Sequence, residues 1–442
     1  MASRMRACAR GLVNLGLPFV FFLSLLSLST RQPALDMAVR EEAAAGGLRV
    51  FVDRSTPTTV VAVANVTADK VQPSGIDAVA AGDGDGKGVA GAANAKAHGE
   101  KPPVSEDAAA AAGNDTNGDA DTVVFDFRPY VLVYKSGRVK RFHGTDTVPP
   151  GVDALTGVAS KNVAGAGGVG ARLYLPPKSR RKGGRGRKKK KKLPVLLYFH
   201  GGAFVIESPY SPLYHAFLNI LVAKAAVVAV SVDYRLAPEH PLPAAYDDAW
   251  AALQWTLSSC LSGPEPWLAE HGDATRVFLA GDSAGGNIAH NLAVRAGAER
   301  PPLDGGGIAG VVLLNPYFWG KAPVPGEPGE PSARAGLEKT WALVCGGRYG
   351  VDDPHVNPLA APAALRGMAG ERVLVTVAGR DGFRGRGAAY AAALRSCGWR
   401  GEVEVYVTEG EAHVHFVGNP RSEKAQRETD RVAQFIAGRA RG

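Results

Sequence analysis

Near the middle of the chain, Arg276-Val277-Phe278-Leu279-Ala280-Gly281-Asp282-Ser283-Ala284-Gly285-Gly286-Asn287 contains the pattern G-x-S-x-G. A short apolar strand runs into the pattern and a helical stretch leaves it. Those residue types suit nucleophilic chemistry. A sharp strand-to-helix turn lifts the Ser283 hydroxyl off a sheet, and small residues at Gly281 and Gly285 let the two elements meet. The helix N-terminus behind Ser283 favours negative charge developing there. A serine hydroxyl needs a base to take its proton, and the base needs an acid to orient it. Asp381 stands just past the apolar run Val373 to Ala378, and His413 and His415 follow the last such run. Ser283, Asp381 and His413 satisfy the order and position of such a set. Asp352 and Asp353 are rival acids, but they occupy a turn-like Asp-Asp-Pro that follows no strand. Glu409 and Glu411 are too near His413 in sequence to be its usual partner.

Upstream, His200-Gly201-Gly202-Ala203-Phe204 directly follows the run Val195 to Phe199. Acyl transfer needs backbone N–H donors aimed at the oxyanion, with no side chain in the way. Gly201, Gly202 and Ala284 are the expected donors. His200 is read as structural, packing and bonding within its loop, and Asp282 and Asp233 as braces of the loops around the site.

These groups need a scaffold. Strand-length apolar runs recur at Tyr130 to Tyr134, Ala171 to Leu175, Val195 to Phe199 and Val227 to Val232. They continue at Val277 to Ala280, Val311 to Leu314, Val373 to Ala378 and Val403 to Val407. Helical segments at Ala244 to Leu257, Gly285 to Ala296 and Gly387 to Cys397 lie between the later ones. That alternation predicts an α/β fold, a mainly parallel sheet with helices on both faces. Trp250 and Trp255 are at core spacing on one of those helices. A single catalytic domain over 123–440 accounts for the ordered material.

Ahead of it, Arg4, Arg6 and Arg10 precede an apolar run from Leu15 to Leu28, the pattern of a signal peptide or signal anchor over 1–31. The pattern predicts the secretory pathway or membrane anchoring, with membrane contact through this segment. Residues 32–122 are rich in Ala, Gly, Asp, Lys and Pro and are expected to form a largely disordered linker. Val60 to Val66 is a local strand-like exception. Asn65-Val66-Thr67 and Asn114-Asp115-Thr116 are glycosylation sequons.

The 442 residues are 45% hydrophobic and 21% charged, a globular composition. The net charge of +9 is local: residues 178–192 carry eleven Lys or Arg and no acid, and without them the balance is 9 − 11 = −2. A near-neutral body with one basic loop insertion differs from a basic protein; the run reads as a solvated, disordered loop, with a nuclear-import or anionic-lipid patch as the alternative, and no nucleic-acid partner is expected. The four cysteines, Cys8, Cys260, Cys345 and Cys397, form no C-x-x-C pair or metal spacing, so no metal site or disulfide framework is expected. No organic cofactor is implied either, and oligomeric state is not encoded in any motif.

The motifs together resemble the plant carboxylesterase family, within the hormone-sensitive-lipase group of α/β-hydrolases. The matching stretches are His200 to Phe204, Gly281 to Asn287, the long run Asp233 to Trp250, Val133 to Asp153 and Asn315 to Gly320. The resemblance implies the α/β-hydrolase fold with an N-terminal lid from Val123 to about Asp153. It also implies a glycine-loop oxyanion hole and a triad at Ser283, Asp381 and His413. The family's closing His-Val-Phe-His reads His413-Val414-His415-Phe416 here, and the flanking Glu409-Gly410-Glu411 and Asn419-Pro420 favour His413 as the base. The implied activity is hydrolysis of small-molecule carboxylic esters. The family also holds gibberellin receptors, which lose the catalytic histidine, as well as a dehydratase and transacylases that use the same residues. The histidine is present here, which favours an enzyme over a hormone-binding protein. Members are commonly found in cytoplasm and nucleus, an alternative to the location read from residues 1–31.

Overall fold

The computed structural model describes residues 48–53, 121–177, 191–299, 306–327 and 329–438. Twelve strands lie in these residues: β1 (Leu48–Asp53), β2 (Val123–Phe127), β3 (Val131–Tyr134), β4 (Val139–Arg141), β5 (Ala159–Val163), β6 (Gly170–Leu175), β7 (Leu193–Phe199), β8 (Val228–Asp233), β9 (Gly272–Asp282), β10 (Ile308–Leu314), β11 (Arg372–Ala378) and β12 (Glu402–Thr408). Nine of them form one sheet in the order β1-β12-β11-β10-β9-β7-β8-β6-β5. β6 runs antiparallel to both β5 and β8, and the remaining pairings are parallel. A parallel sheet needs cover on both faces, which is why its strands read as unbroken apolar runs.

The helices supply that cover. They are α1 (Pro212–Ala225), α2 (Ala244–Leu261), α3 (Pro266–His271), α4 (Ala284–Glu299), α5 (Pro331–Val344), α6 (Pro362–Arg366), α7 (Arg384–Ser396), α8 (His415–Gly418) and α9 (Glu423–Ile436), with a 3-10 turn at Pro358–Ala360. Side chains alternate across a strand. Val195, Leu197 and Phe199 of β7 therefore join one core with α2, α4, α5 and α7. Leu196 and Tyr198 join the other with α1, α8 and α9. The expected apolar runs and helices all fall on such elements, within a few residues at their ends.

A separate antiparallel sheet, β2-β3-β4, precedes the main body. The Arg141 guanidinium at its end donates to the Val205 carbonyl at 2.6 Å and the Ala237 carbonyl at 3.1 Å, and pairs with Glu239 at 2.7 Å. This fastens the N-terminal segment to the loops that follow β7 and β8.

Within 32–122, expected to be a largely disordered linker, one segment is ordered. Leu48–Asp53 is a strand, pairing with β12 from Leu48↔Val403 to Asp53↔Thr408. β12 would otherwise leave a row of open backbone groups, and this β-branched, aromatic-containing segment satisfies them. The Arg431 guanidinium covers the Phe51 ring at 3.9 Å. Residues 1–31, Val60 to Val66, both sequons and 178–190 of the basic loop lie outside the described residues. Among the described residues, no helix is long and apolar enough to cross a membrane.

Candidate active site

β9 ends at Asp282, α4 begins at Ala284, and Ser283 makes the turn between them in the left-handed region at φ 51°. A non-glycine residue is rare there and persists only where its surroundings enforce it. They do: the Ser283 N–H donates to the Leu314 carbonyl at 3.0 Å, and its own carbonyl accepts from Tyr317 N–H at 2.9 Å and Asn287 N–H at 3.1 Å. Glycine is needed on either side. A Cβ on Gly285 would stand 1.9 Å from the Phe199 carbonyl oxygen, and one on Gly281 would stand 2.3 Å from the Gly285 backbone.

The loops after β11 and β12 bring Asp381 and His413 to the same end of the sheet. His413 Nε2 lies 2.8 Å from Ser283 Oγ, and its Nδ1 lies 2.8 Å from Asp381 Oδ2. Asp381 Oδ1 accepts from the Phe383 N–H at 2.9 Å, which fixes the carboxylate plane. All three residues are buried, so their mutual attraction is little weakened by water. Val414, at φ 47°, donates its N–H to Asn315 Oδ1 at 2.9 Å and so turns the chain directly behind His413. His415 is not in the constellation and lies 3.5 Å from Glu428. The rival acids are engaged elsewhere. Asp352 accepts from the Lys321 N–H and Asn357, Asp353 meets His355, Glu409 pairs with Arg384, and Glu411 pairs with Lys424.

The glycine loop departs from expectation at one residue. The Gly201 N–H points inward, donating to the Tyr214 hydroxyl at 2.8 Å and to Asp282 Oδ1 at 3.1 Å, so it is not free for an oxyanion. The N–H groups of Gly202 and Ala203 meet no acceptor among the described residues. Ala284 opens α4, so its N–H has no carbonyl within the helix. Gly202 at φ 104° and Ala203 at φ 52° give the loop its tight reversal.

Beneath the loop, Asp282 is fully buried and accepts from Tyr198 at 2.7 Å and Tyr214 at 2.8 Å as well as from Gly201. Desolvation raises its pKa to about 6, against the pull of those hydroxyl donors. His200 stacks on Tyr234 with ring centroids 4.3 Å apart and bonds the Gly201 carbonyl at 2.7 Å. Burial lowers its pKa to about 4, which keeps it neutral and structural. Asp233 braces its loop through the Tyr210 hydroxyl, and desolvation raises its pKa. The long motif Asp233 to Trp250 is largely a brace as well. Arg235 grips Asp248 at 2.7 Å, and the Tyr246 hydroxyl donates to Asn287 at 2.8 Å. Trp250 and Trp255 pack against the core, Trp250 beneath the Arg295 guanidinium at 4.5 Å.

Tyr198, Tyr214 and Phe383 lie around the site in no quoted motif, and Tyr234 and Asn315, though inside matching stretches, had been given no role there. Tyr198 alternates with strand neighbours that face the other core, and that parity was the only available clue. Among the described residues, no cluster of three or more His, Cys, Asp or Glu side chains could hold a metal ion.

Residues 196–417 match a family model described as alpha/beta hydrolase fold. Over 322 residues the chain is 44% identical to the Arabidopsis thaliana protein named "Probable carboxylesterase 4, mitochondrial", covering 72% of this chain and 84% of that one. The chain belongs to the plant carboxylesterase family of α/β-hydrolases. This carboxylesterase-family member is also 44% identical to "Tuliposide A-converting enzyme 1, chloroplastic" of Tulipa gesneriana, over 72% of this chain and 79% of the relative. It is 42% identical to "2-hydroxyisoflavanone dehydratase" of Glycyrrhiza echinata, over 70% and 94%. Among solved structures, it superposes with a TM-score of 0.50 on an esterase from the bacterial hormone-sensitive lipase family, at 25% identity over 63% of this chain and 84% of that one.

Proposed function

We propose that the protein hydrolyses carboxylic esters of small molecules through an acyl-serine intermediate, with Ser283, His413 and Asp381 as nucleophile, base and orienting acid. The reading is carried by one imidazole that spans Ser283 and Asp381 at 2.8 Å on each side. His413 Nε2 takes the Ser283 proton as Oγ attacks the ester carbonyl carbon. Asp381 remains ionised, holding the ring and stabilising the imidazolium. Gly202, Ala203 and Ala284 donate N–H groups to the tetrahedral oxyanion, each worth about 10²–10³ in rate by analogy with other oxyanion holes. His413 then protonates the departing alcohol. A water molecule, deprotonated by the same imidazole, attacks the acyl group and releases the acid.

The test is hydrolysis of p-nitrophenyl acetate and butyrate by the purified protein and by Ser283→Ala. Turnover by the wild type and its loss in the variant are expected. Equal, background-level rates would sink the reading. A relative named as a dehydratase favours one further assay on the same site, elimination of water from a hydroxylated isoflavanone. Release of water without ester cleavage would make dehydration the primary chemistry. We also read residues 1–31 as an address segment outside the catalytic domain. Two relatives carry mitochondrial and chloroplastic names. Fluorescent fusions with and without these residues distinguish an organelle from the secretory pathway.

A further inference from the structure

One buried carboxylate touches both ends of the loop that carries His413. Glu428, on α9, has a fully buried side chain. Its Oε2 accepts the hydroxyl of Thr408, the last residue of β12, at 2.6 Å. The same oxygen lies 3.5 Å from Nε2 of His415, the first residue of α8. Only residues 409–414 run between those two anchors. One turn earlier on α9, Lys424 Nζ donates to the Glu409 carbonyl at 2.7 Å and pairs with Glu411 at 3.2 Å, holding the middle of the loop.

The surroundings are apolar, with Val414, Phe416, Val417, Ala425 and Val432 in one core cluster with Phe217. A carboxyl group and an imidazole are costly to bury in such a place, and one partner left alone costs more than the pair. No step of the proposed reaction uses either group. The loop has work for them, however. Val414 is β-branched and held at φ 47°, a conformation it would not keep unaided. The imidazole in front of it must stay within a fraction of an ångström of its reacting distance.

We propose that Glu428, with Thr408 and His415, is a positioning clasp that holds His413 in line with Ser283 and Asp381. The proposal rests on His413 being the base. It gives His415 a role distinct from proton transfer.

The experiment compares kcat, KM and Tm on p-nitrophenyl acetate for the full chain and three variants: Thr408→Val, Glu428→Leu and the double variant His415→Phe/Glu428→Leu. Glu428→Leu is expected to lower kcat by about 10- to 100-fold with KM little changed, as for a misplaced catalytic group. Thr408→Val loses one anchor and should lower kcat several-fold. It also decides the matter if Glu428→Leu does not fold. The double variant replaces the pair with apolar groups and should regain Tm while kcat stays low. Wild-type kcat in Thr408→Val and Glu428→Leu overturns the clasp. So does a double variant whose kcat recovers together with its Tm, because apolar packing would then serve as well. A wild type with no esterase activity overturns the hydrolase reading itself, a result separate from an active enzyme indifferent to these substitutions.

Discussion

In the proposed mechanism Ser283, His413 and Asp381 act as a unit, joined by contacts of 2.8 Å on each side of the imidazole, and substitutions there test it directly. Asp381→Asn keeps the shape but favours the wrong tautomer of His413, and kcat should fall by about 10⁴ with KM nearly unchanged, by analogy with other triads. Steady-state kinetics on p-nitrophenyl acetate checks it, and a loss under tenfold would remove Asp381 from its role. Asp282 calls for a pH experiment. Its carboxyl is ionised above about 6 and accepts from Tyr198, Tyr214 and Gly201, while below that it is protonated and holds the glycine loop less well. Asp282→Asn is neutral at every pH. The ratio of wild-type to variant kcat/KM should therefore be largest near pH 8 and shrink as pH falls through about 6. Titrations shared by both proteins cancel in that ratio, so a ratio flat with pH rejects the idea. The juxtaposition of Ser283, Asp381 and His413 was legible because strand, turn and chain order constrain these positions locally. The inward direction of the Gly201 N–H was not legible because its acceptors, Tyr214 and Asp282, arrive from distant elements that only the folded sheet brings together.

At the scale of elements, the crossing of β9, β7 and α4 is a tightly determined joint. Gly285→Ala puts a methyl group 1.9 Å from the Phe199 carbonyl, a backbone atom that cannot move away cheaply. Expression should yield little soluble protein, or a Tm lower by more than 10 °C on the scale of about 2–4 °C per kcal/mol for domains of 150–250 residues. A variant with wild-type Tm would show that the turn relaxes. Strands β7 to β12 were legible because burial on both faces demands unbroken apolar runs. α1 was hidden for a related reason. Its sequence Pro-Leu-Tyr-His-Ala-Phe-Leu-Asn-Ile-Leu-Val-Ala-Lys-Ala is apolar almost all round, so no helical stripe stands out. α9 offered a cue that was passed over, the Ser422 cap whose hydroxyl accepts from the Ala425 N–H at the head of a strongly amphipathic run. β1 had no local signal strong enough to separate it from its low-complexity surroundings, because its stability comes from an edge supplied by β12.

For the molecule as a whole, two fully buried histidines contribute to the response to acid. Burial lowers the pKa of His200 to about 4 and of His290 to about 3. A histidine with a lower pKa folded than unfolded takes its proton first in the unfolded chain, so acid favours unfolding as pH drops below about 6.5. Asp282, raised to about 6, works in the opposite direction between about 6 and 3.8 and offsets part of the effect. Tm should fall between pH 7 and pH 4.5, and less steeply in His290→Leu. A Tm independent of pH in that range would contradict both assignments. The same scale includes the sheet edge that β1 covers. A chain beginning at residue 54 should show a larger apparent mass in size-exclusion chromatography than the full chain, because β12 is then open to pairing. An unchanged elution volume would show that the edge is protected without β1. The pairing has a further consequence in time. β1 leaves the ribosome well before its partner β12, the last strand among the described residues. At about 5–20 residues per second it waits tens of seconds before β12 exists. During that interval the segment has no β12 to pair with, and anything that meets the emerging chain can reach it before the enzyme closes over it.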